Sequence, residues 1–281
     1  MVILVTGANG QLGQSIKKVA PKYPEITFVY CDSKELDITN LASCEAIFSQ
    51  YKPNYCINTA AYTAVDKAET ETELAFAVNV LGSENLAKVA KANDTVLLHV
   101  STDFVFDGNK NEPYTEIDVP NPTSVYGSTK LQGEQVVQSI LEKYYIIRTS
   151  WVFSEFGNNF MKTMIRLGNE RDSLSVVNDQ TGTPTYAPDL ADTLVKICKL
   201  NAAKNIEAYG IYNFSNEGQC TWFEFAKEIF KVNTIAIDLK PLPTTAYPTP
   251  AKRPLYSVLN KEKIKAVFDI EIKDWTKVLT K

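Results

Sequence analysis

Residues 1–17 read MVILVTGANGQLGQSIK, and this stretch decides the fold. Val2 to Val5 form an unbroken apolar run, too short for a buried helix and rich in β-branched residues, which predicts a central strand. Thr6-Gly7 ends it, and Gly7, Gly10 and Gly13 follow at three-residue spacing. Leu12, Ile16, Val19 and Ala20 then recur at helical intervals. Strand, glycine turn and helix N-terminus in that order make a cradle for a dinucleotide pyrophosphate. The first glycine allows the tight turn, the second admits phosphate close to the backbone, and the third lets helix and strand pack closely. The spacing is GxxGxxG rather than GxGxxG, and such turns also occur without a ligand. Its position directly after the first strand is what carries the nucleotide reading.

Working outward, Thr27 to Cys31 predicts a second strand ending at Asp32, about 20 residues past the glycine turn, where a carboxylate can accept from an adenosine ribose or simply cap a turn. Lys34 beside it suits a 2′-phosphate, which leaves NADH and NADPH both open. A helix is expected from about Leu41 to Tyr51, and a third strand at Tyr55 to Asn58 running into small residues. A long helix follows from about Glu71 to Asn93, then a fourth strand at Val96 to Val100 ending in Ser101-Thr102-Asp103. After a Pro-rich loop at 114–122 come a helix from Tyr126 to about Leu141 and a fifth strand at Tyr145 to Thr149. Strands alternating with amphipathic helices predict an α/β chain, a Rossmann-type doubly wound parallel sheet. The alternation degrades from Trp151 onward, where prolines interrupt it. Residues 1–150 are therefore expected to form a dinucleotide-binding Rossmann domain. Residues 151–281 are expected to form mainly a smaller α/β substrate-binding region, interleaved with the last elements of that sheet.

The 281 residues are 44% hydrophobic and 22% charged with formal net charge −4, which argues against a generic nucleic-acid surface. No apolar run approaches a membrane span, and the chain enters a strand without a signal-peptide layout, so a cytoplasmic location is expected. Cys31, Cys44, Cys56, Cys198 and Cys220 are scattered with no CxxC pair and read as structural thiols. His99, the only histidine, lies in an apolar run and reads as a core residue.

Tyr126 and Lys130 are four apart on a predicted helix and share a face. An ammonium near a phenol lowers its pKa and lets it exchange a proton near neutrality. A YxxxK pair is expected by chance in a chain with 14 tyrosines, so order is what gives it weight. The glycine turn, Ser101-Thr102 at a strand end, and Tyr126 and Lys130 on the next helix all converge on the sheet's carboxyl edge.

This combination resembles the extended short-chain dehydrogenase/reductase family, in which a Ser/Thr, Tyr and Lys set works with a nicotinamide cofactor. Within it, TGANGQLG (6–13), NTAAYTAVDKAE (58–69), VNVLGSENLA (78–87), STDFVFDG (101–108), YGSTKLQGE (126–134), RTSWVF (148–153), DQTGTPTYAPDLA (179–191) and RPLYSVLNKEK (253–263) are similar to the dTDP-4-dehydrorhamnose reductase family. The resemblance implies NAD(P)H-dependent reduction of the C4 keto group of dTDP-4-dehydro-β-L-rhamnose, in dTDP-rhamnose synthesis for cell-surface polysaccharide, with NADPH slightly favoured over NADH. It implies Tyr126 as proton donor, Lys130 on the nicotinamide ribose, and Thr102 on the substrate oxygen or on Tyr126. Gly10, Gln11 and Leu12 match the pyrophosphate turn, Asp37 and Ile38 the adenine side, and Ala60, Ala61 and Tyr62 the cofactor side of the third strand. Trp151 matches a tryptophan against the sugar. Asp103, Asn178, Gln180 and Arg253 are counted with the substrate contacts, Arg253 as a partner for the diphosphate. Some members hold Mg²⁺ through glutamates at a dimer interface. Gln14-Ser15 stands there in this chain, so no metal site is carried over, while a homodimer remains compatible with the resemblance. Two alternatives remain: a nucleotide-sugar epimerase or dehydratase, with Asp103 as acid/base, and a non-catalytic subunit resembling the methionine adenosyltransferase β subunit.

Overall fold

The computed structural model describes residues 1–204 and 208–279. Five strands follow the expected order: β1 (Val2–Thr6), β2 (Thr27–Tyr30), β3 (Tyr55–Asn58), β4 (Val96–Thr102) and β5 (Tyr144–Thr149). A sixth, β6 (Gly210–Asn213), joins from the later part of the chain. They form one sheet in the order β6-β5-β4-β3-β1-β2, and every neighbouring pair is parallel. Strand order reverses between the adjacent strands β1 and β3, so the ligand crevice falls beyond the carboxyl ends of these strands. β1 and β3 to β5 are buried along almost their whole length, as a sheet covered on both faces requires.

Both faces are covered by helices. α1 (Gln11–Val19) packs on one face with the later helix Ala187–Lys204, enclosing Ile3, Val5, Ile57, Leu98, Ile147 and Leu194. On the other face lie α2 (Leu41–Tyr51), α3 (Gly82–Ala92) and α4 (Val125–Ile140), over Leu4, Cys56, Leu97 and Ile146. The long helix expected over 71–93 is present but not uniform. Thr72–Phe76 leads through a π turn at Ala77–Leu81 into α3. The widened turn turns the side chain of buried Asn79 inward, where it accepts from the Tyr62 N–H (2.9 Å) and donates to the Tyr62 carbonyl (3.2 Å) and the Thr129 hydroxyl (3.1 Å).

Past β5 a second core forms around Phe153, Met164, Phe225, Ile229 and Trp275, between α5 (Phe160–Glu170) and α6 (Trp222–Val232). Small strand pairs stitch it together. Ser173–Val177 pairs in parallel with Asp238–Leu242, which the sequence reading left inside the Pro-interrupted stretch. Pro241 is tolerated there because this is a two-stranded ribbon whose edge leaves the missing N–H without a required partner. All five cysteines are buried free thiols, and burial pushes each thiol up. Among the described residues no helix is long and apolar enough to cross a membrane.

Candidate active site

The glycine turn behaves as its sequence requires. Gly7 sits at φ +61, and a Cβ there would come within 2.8 Å of the Ala60 backbone nitrogen. A Cβ on Gly13 would lie 2.6 Å from Ala8 Cα and the Gly7 carbonyl, so only glycine lets α1 approach β1 this closely. Gly10 is the N-cap of α1, with no side chain capping the helix and no acidic residue in its first turn. The positive end of the helix is thus left facing outward, and a pyrophosphate fits it. Gln11 ties this turn to the segment after β5, donating to the Val152 carbonyl (3.1 Å) and accepting from Asn159 (2.6 Å).

A cleft of about 640 Å³ opens at the sheet's carboxyl edge. Asn9, Gly10, Gln11 and Leu12 form one wall; Thr59, Ala61, Thr63 and Val65 follow from the segment after β3. Val100 to Phe104 continue it at the end of β4, and Tyr126 and Lys130 face it from α4. Thr149 to Val152, Gly157, Asn158, Trp222 and Arg253 complete the lining. The structure therefore brings the glycine turn, Thr102, Asp103, Tyr126, Lys130, Trp151 and Arg253 into one space. Two expected substrate contacts lie outside it: Asn178 is exposed, and buried Gln180 donates to the Thr244 hydroxyl at 3.0 Å. Ala60 is turned back by its own N–H, which reaches Thr6 and Asn58. The Tyr62 hydroxyl donates to Glu71 at 2.7 Å. Asp32 caps the turn, accepting from the Lys34 N–H (2.8 Å), and it also accepts from Asn9, a cleft residue. Asp37 is exposed and bound to Thr39, while Ile38 is buried against Gly82, so neither side chain reaches the cleft lining.

The electrostatics of the Tyr126–Lys130 pair correct one expectation. The Tyr126 phenol is not lowered by Lys130; burial pushes it up to about 12, opposed by a hydrogen bond with Thr102 and helped by the charge of Asp103. The reason is geometric, since the Lys130 ammonium donates to the Val100 carbonyl at 2.7 Å. Burial pulls Lys130 itself down to about 8, with the carboxylate of Glu134 opposing. A phenol held protonated suits a proton donor. Thr102 donates to Asp103 Oδ1 at 3.1 Å and accepts from the Phe104 N–H, which fixes its hydroxyl beside the phenol. Asp103 is buried, its carboxyl raised to about 6 by desolvation, and its Oδ2 has no partner among the described residues.

Behind the cleft Glu134 and Arg148, both fully buried, form a bidentate pair (2.7 and 3.0 Å), with the Ser101 hydroxyl donating to the same carboxylate at 2.5 Å. His99 is a core residue: Asn58 meets its Nδ1 at 3.1 Å, and burial holds the ring neutral. Arg253 is already paired, bidentate with Asp66 at 2.7 and 3.0 Å, and its guanidinium holds that carboxyl below the usual carboxylate range. Trp151, at φ +47, lies half-buried and stacked on Trp222, ring centroids 3.5 Å apart. Sequence reasoning missed Trp222. The available signal was local: Thr221 and Glu224 form a capping box that presents residue 222 at a helix start.

A nucleotide cradle and a Thr–Tyr–Lys set meeting at the carboxyl edge of a doubly wound sheet define the short-chain dehydrogenase/reductase class. Within that class, the RmlD substrate binding domain family model matches residues 1–281, and the chain belongs to that family. It is 44% identical over 283 residues to the dTDP-4-dehydrorhamnose reductase of Aggregatibacter actinomycetemcomitans, covering 99% of this chain and 96% of that one. It superposes with TM-score 0.93 on a Bacillus anthracis dTDP-4-dehydrorhamnose reductase in complex with NADP, 39% identical, covering 99% and 96% of the two chains. A Clostridium acetobutylicum structure described as a dTDP-4-dehydrorhamnose reductase superposes with TM-score 0.92 at 43% identity, covering 99% of this chain and 96% of that one.

Proposed function

We propose that this chain reduces the C4 keto group of dTDP-4-dehydro-β-L-rhamnose to give dTDP-L-rhamnose, with NADPH as the preferred donor. The observation that carries the reading is the meeting of Thr102, Tyr126 and Lys130 with the glycine turn on one cleft, in a chain whose relatives over its full length are named for this reaction. Those names favour it over the epimerase, dehydratase and regulatory-subunit alternatives.

Gly10, Gln11 and Leu12 hold the cofactor pyrophosphate on the open N-terminus of α1. Asp32 faces the adenosine ribose, and Lys34 beside it suits the 2′-phosphate. When bound, the nicotinamide supplies the hydride. Tyr126 gives its proton to the alkoxide that develops on the C4 oxygen; Thr102 hydrogen-bonds the phenol and steers that proton. Lys130, fixed by the Val100 carbonyl, places positive charge beneath the site and reaches the nicotinamide ribose. Trp151 offers its indole to the deoxysugar and its methyl group, and Asp103, on the same cleft, contacts the sugar as well. Arg253, pre-oriented by Asp66, stands ready for the diphosphate. In this reading residues 1–150 serve mainly the cofactor and 151–281 mainly the sugar, in a cytoplasmic enzyme that works as a homodimer.

The test is absorbance at the reduced-nicotinamide band with dTDP-4-dehydrorhamnose made in situ, NADPH and NADH run in parallel. Stoichiometric oxidation with dTDP-rhamnose as product is expected, faster with NADPH. No oxidation by protein that binds both cofactors would overturn the reading.

A further inference from the structure

We infer that Trp222 is a positioning residue for the sugar: it acts through Trp151, fixing the plane of the indole against which the substrate lies. The inference rests on the reading of Trp151 as the sugar platform, and it concerns what makes that platform rigid.

Trp151 is poorly constrained by its own segment. It follows β5 on the cleft rim with its backbone in the left-handed region, φ +47, which a bulky residue adopts only when its surroundings hold it there. Two surfaces do so. One is Gly182, where a Cβ would lie 2.5 Å from the indole Cε2, so the absence of a side chain lets the ring lie flat against the backbone. The other is Trp222, stacked at 3.5 Å between centroids with only 9° between planes. Trp222 is in turn braced by Phe160, 4.6 Å away. Its backbone is anchored at the start of α6, where Thr221 accepts from the Glu224 N–H (3.2 Å) while Glu224 accepts from the Thr221 N–H (2.8 Å).

Both indoles line the cleft, yet no sugar ring fits between planes this close, so the substrate meets Trp151 on the part of the ring that Trp222 and Gly182 leave open. A hexose edge and its methyl group on an indole are held by contact area with little directional preference. The angle of the sugar, and so the distance from its C4 oxygen to Tyr126, is set by whatever fixes the ring. Misplacement of reacting atoms by about 1 Å lowers turnover on the order of 10²-fold. Trp222 thus joins the second core to the reaction centre, although it stands 71 positions from Trp151 in the sequence.

The experiment is a double-mutant cycle on Trp151→Ala, Trp222→Ala and the pair, with the keto-sugar and NADPH varied separately. Far-UV circular dichroism reads the exciton couplet of the stacked indoles. Trp222→Ala is expected to abolish the couplet and lower kcat by about 10-fold or more, with KM for NADPH within about twofold. Trp222→Phe, which keeps a stacking plane, should recover most of the turnover. The double variant should be no worse than Trp151→Ala alone, because Trp222 acts only through its neighbour. Should Trp222→Ala fail to fold, Trp222→Leu gives the same readouts with apolar bulk but no plane. Normal turnover in Trp222→Ala or Trp222→Leu beside an impaired Trp151→Ala overturns the inference and leaves the platform reading standing. So does a double variant whose loss equals both single losses multiplied. Normal turnover in Trp151→Ala removes the platform reading itself.

Discussion

Replacing Glu134 by Ala probes the interior beneath the active site. Arg148 is 2% exposed and Glu134 not at all, and Glu134 is the sole carboxylate paired with that guanidinium among the described residues. Arg148 Nη1 already lacks a partner there, and the Phe106 ring, 5.1 Å from the guanidinium carbon, offers only a cation–π contact. Removing the carboxylate leaves a buried cation uncompensated and the Ser101 hydroxyl without its acceptor, a loss of about 3–5 kcal/mol. With unfolding entropy of ~2.1 cal/mol/K per residue, a chain of 281 residues loses about 7 °C in Tm for each 4 kcal/mol. Urea denaturation and calorimetry measure both quantities. The cost lies in stranding the charge, so Glu134→Leu combined with Arg148→Met should recover most of the loss. A Glu134→Ala variant within about 1 kcal/mol of the parent, or a double variant as unstable as Glu134→Ala, would refute the reasoning.

Further outcomes follow from the site. Tyr126→Phe should keep cofactor binding, followed by fluorescence, while kcat falls by roughly 10²-fold or more, as for loss of a general acid. Asp103 has its carboxyl raised to about 6 from an unfolded value of about 4, so its stabilising contribution is complete below pH 4 and lost as pH rises through 6. Asp103→Asn carries no such slope, and its stability relative to the parent should therefore rise on the order of 3 kcal/mol between pH 4 and 7, as read by denaturant titration at each pH. Gly13→Ala forces a Cβ into Ala8 and the Gly7 carbonyl; a loss of about 1–3 kcal/mol and weakened NADPH binding are expected, the second measured by calorimetric titration.

Much of this was legible in the chain because the relevant signals are local. β1, the glycine turn and α1 are consecutive, and Tyr126 and Lys130 share one helix face, so periodicity and spacing place them. The cleft lining adds residues whose positions depend on tertiary contact. Trp222 reaches the site through a stack with Trp151, and Arg253 is oriented by Asp66 from the other end of the chain. The sign of the Tyr126 shift was also beyond a linear reading. It depends on where the Lys130 ammonium points and on how deeply the phenol is desolvated. The ribbon at 173–177 and 238–242 escaped because alternation over five residues is weak evidence and Pro241 argues against a strand.

The π turn at Ala77–Leu81 has a mechanical consequence. One amide, that of Asn79, binds the backbone of Tyr62 on the cofactor side and Thr129 on the helix of Tyr126 and Lys130. The loop after β3 and the helix of Tyr126 therefore cannot part without breaking either the bond to Thr129 or the two bonds to Tyr62 at this single side chain. Any opening of the cleft along that seam must first release this one amide, which couples the loop after β3 to the helix that carries Tyr126.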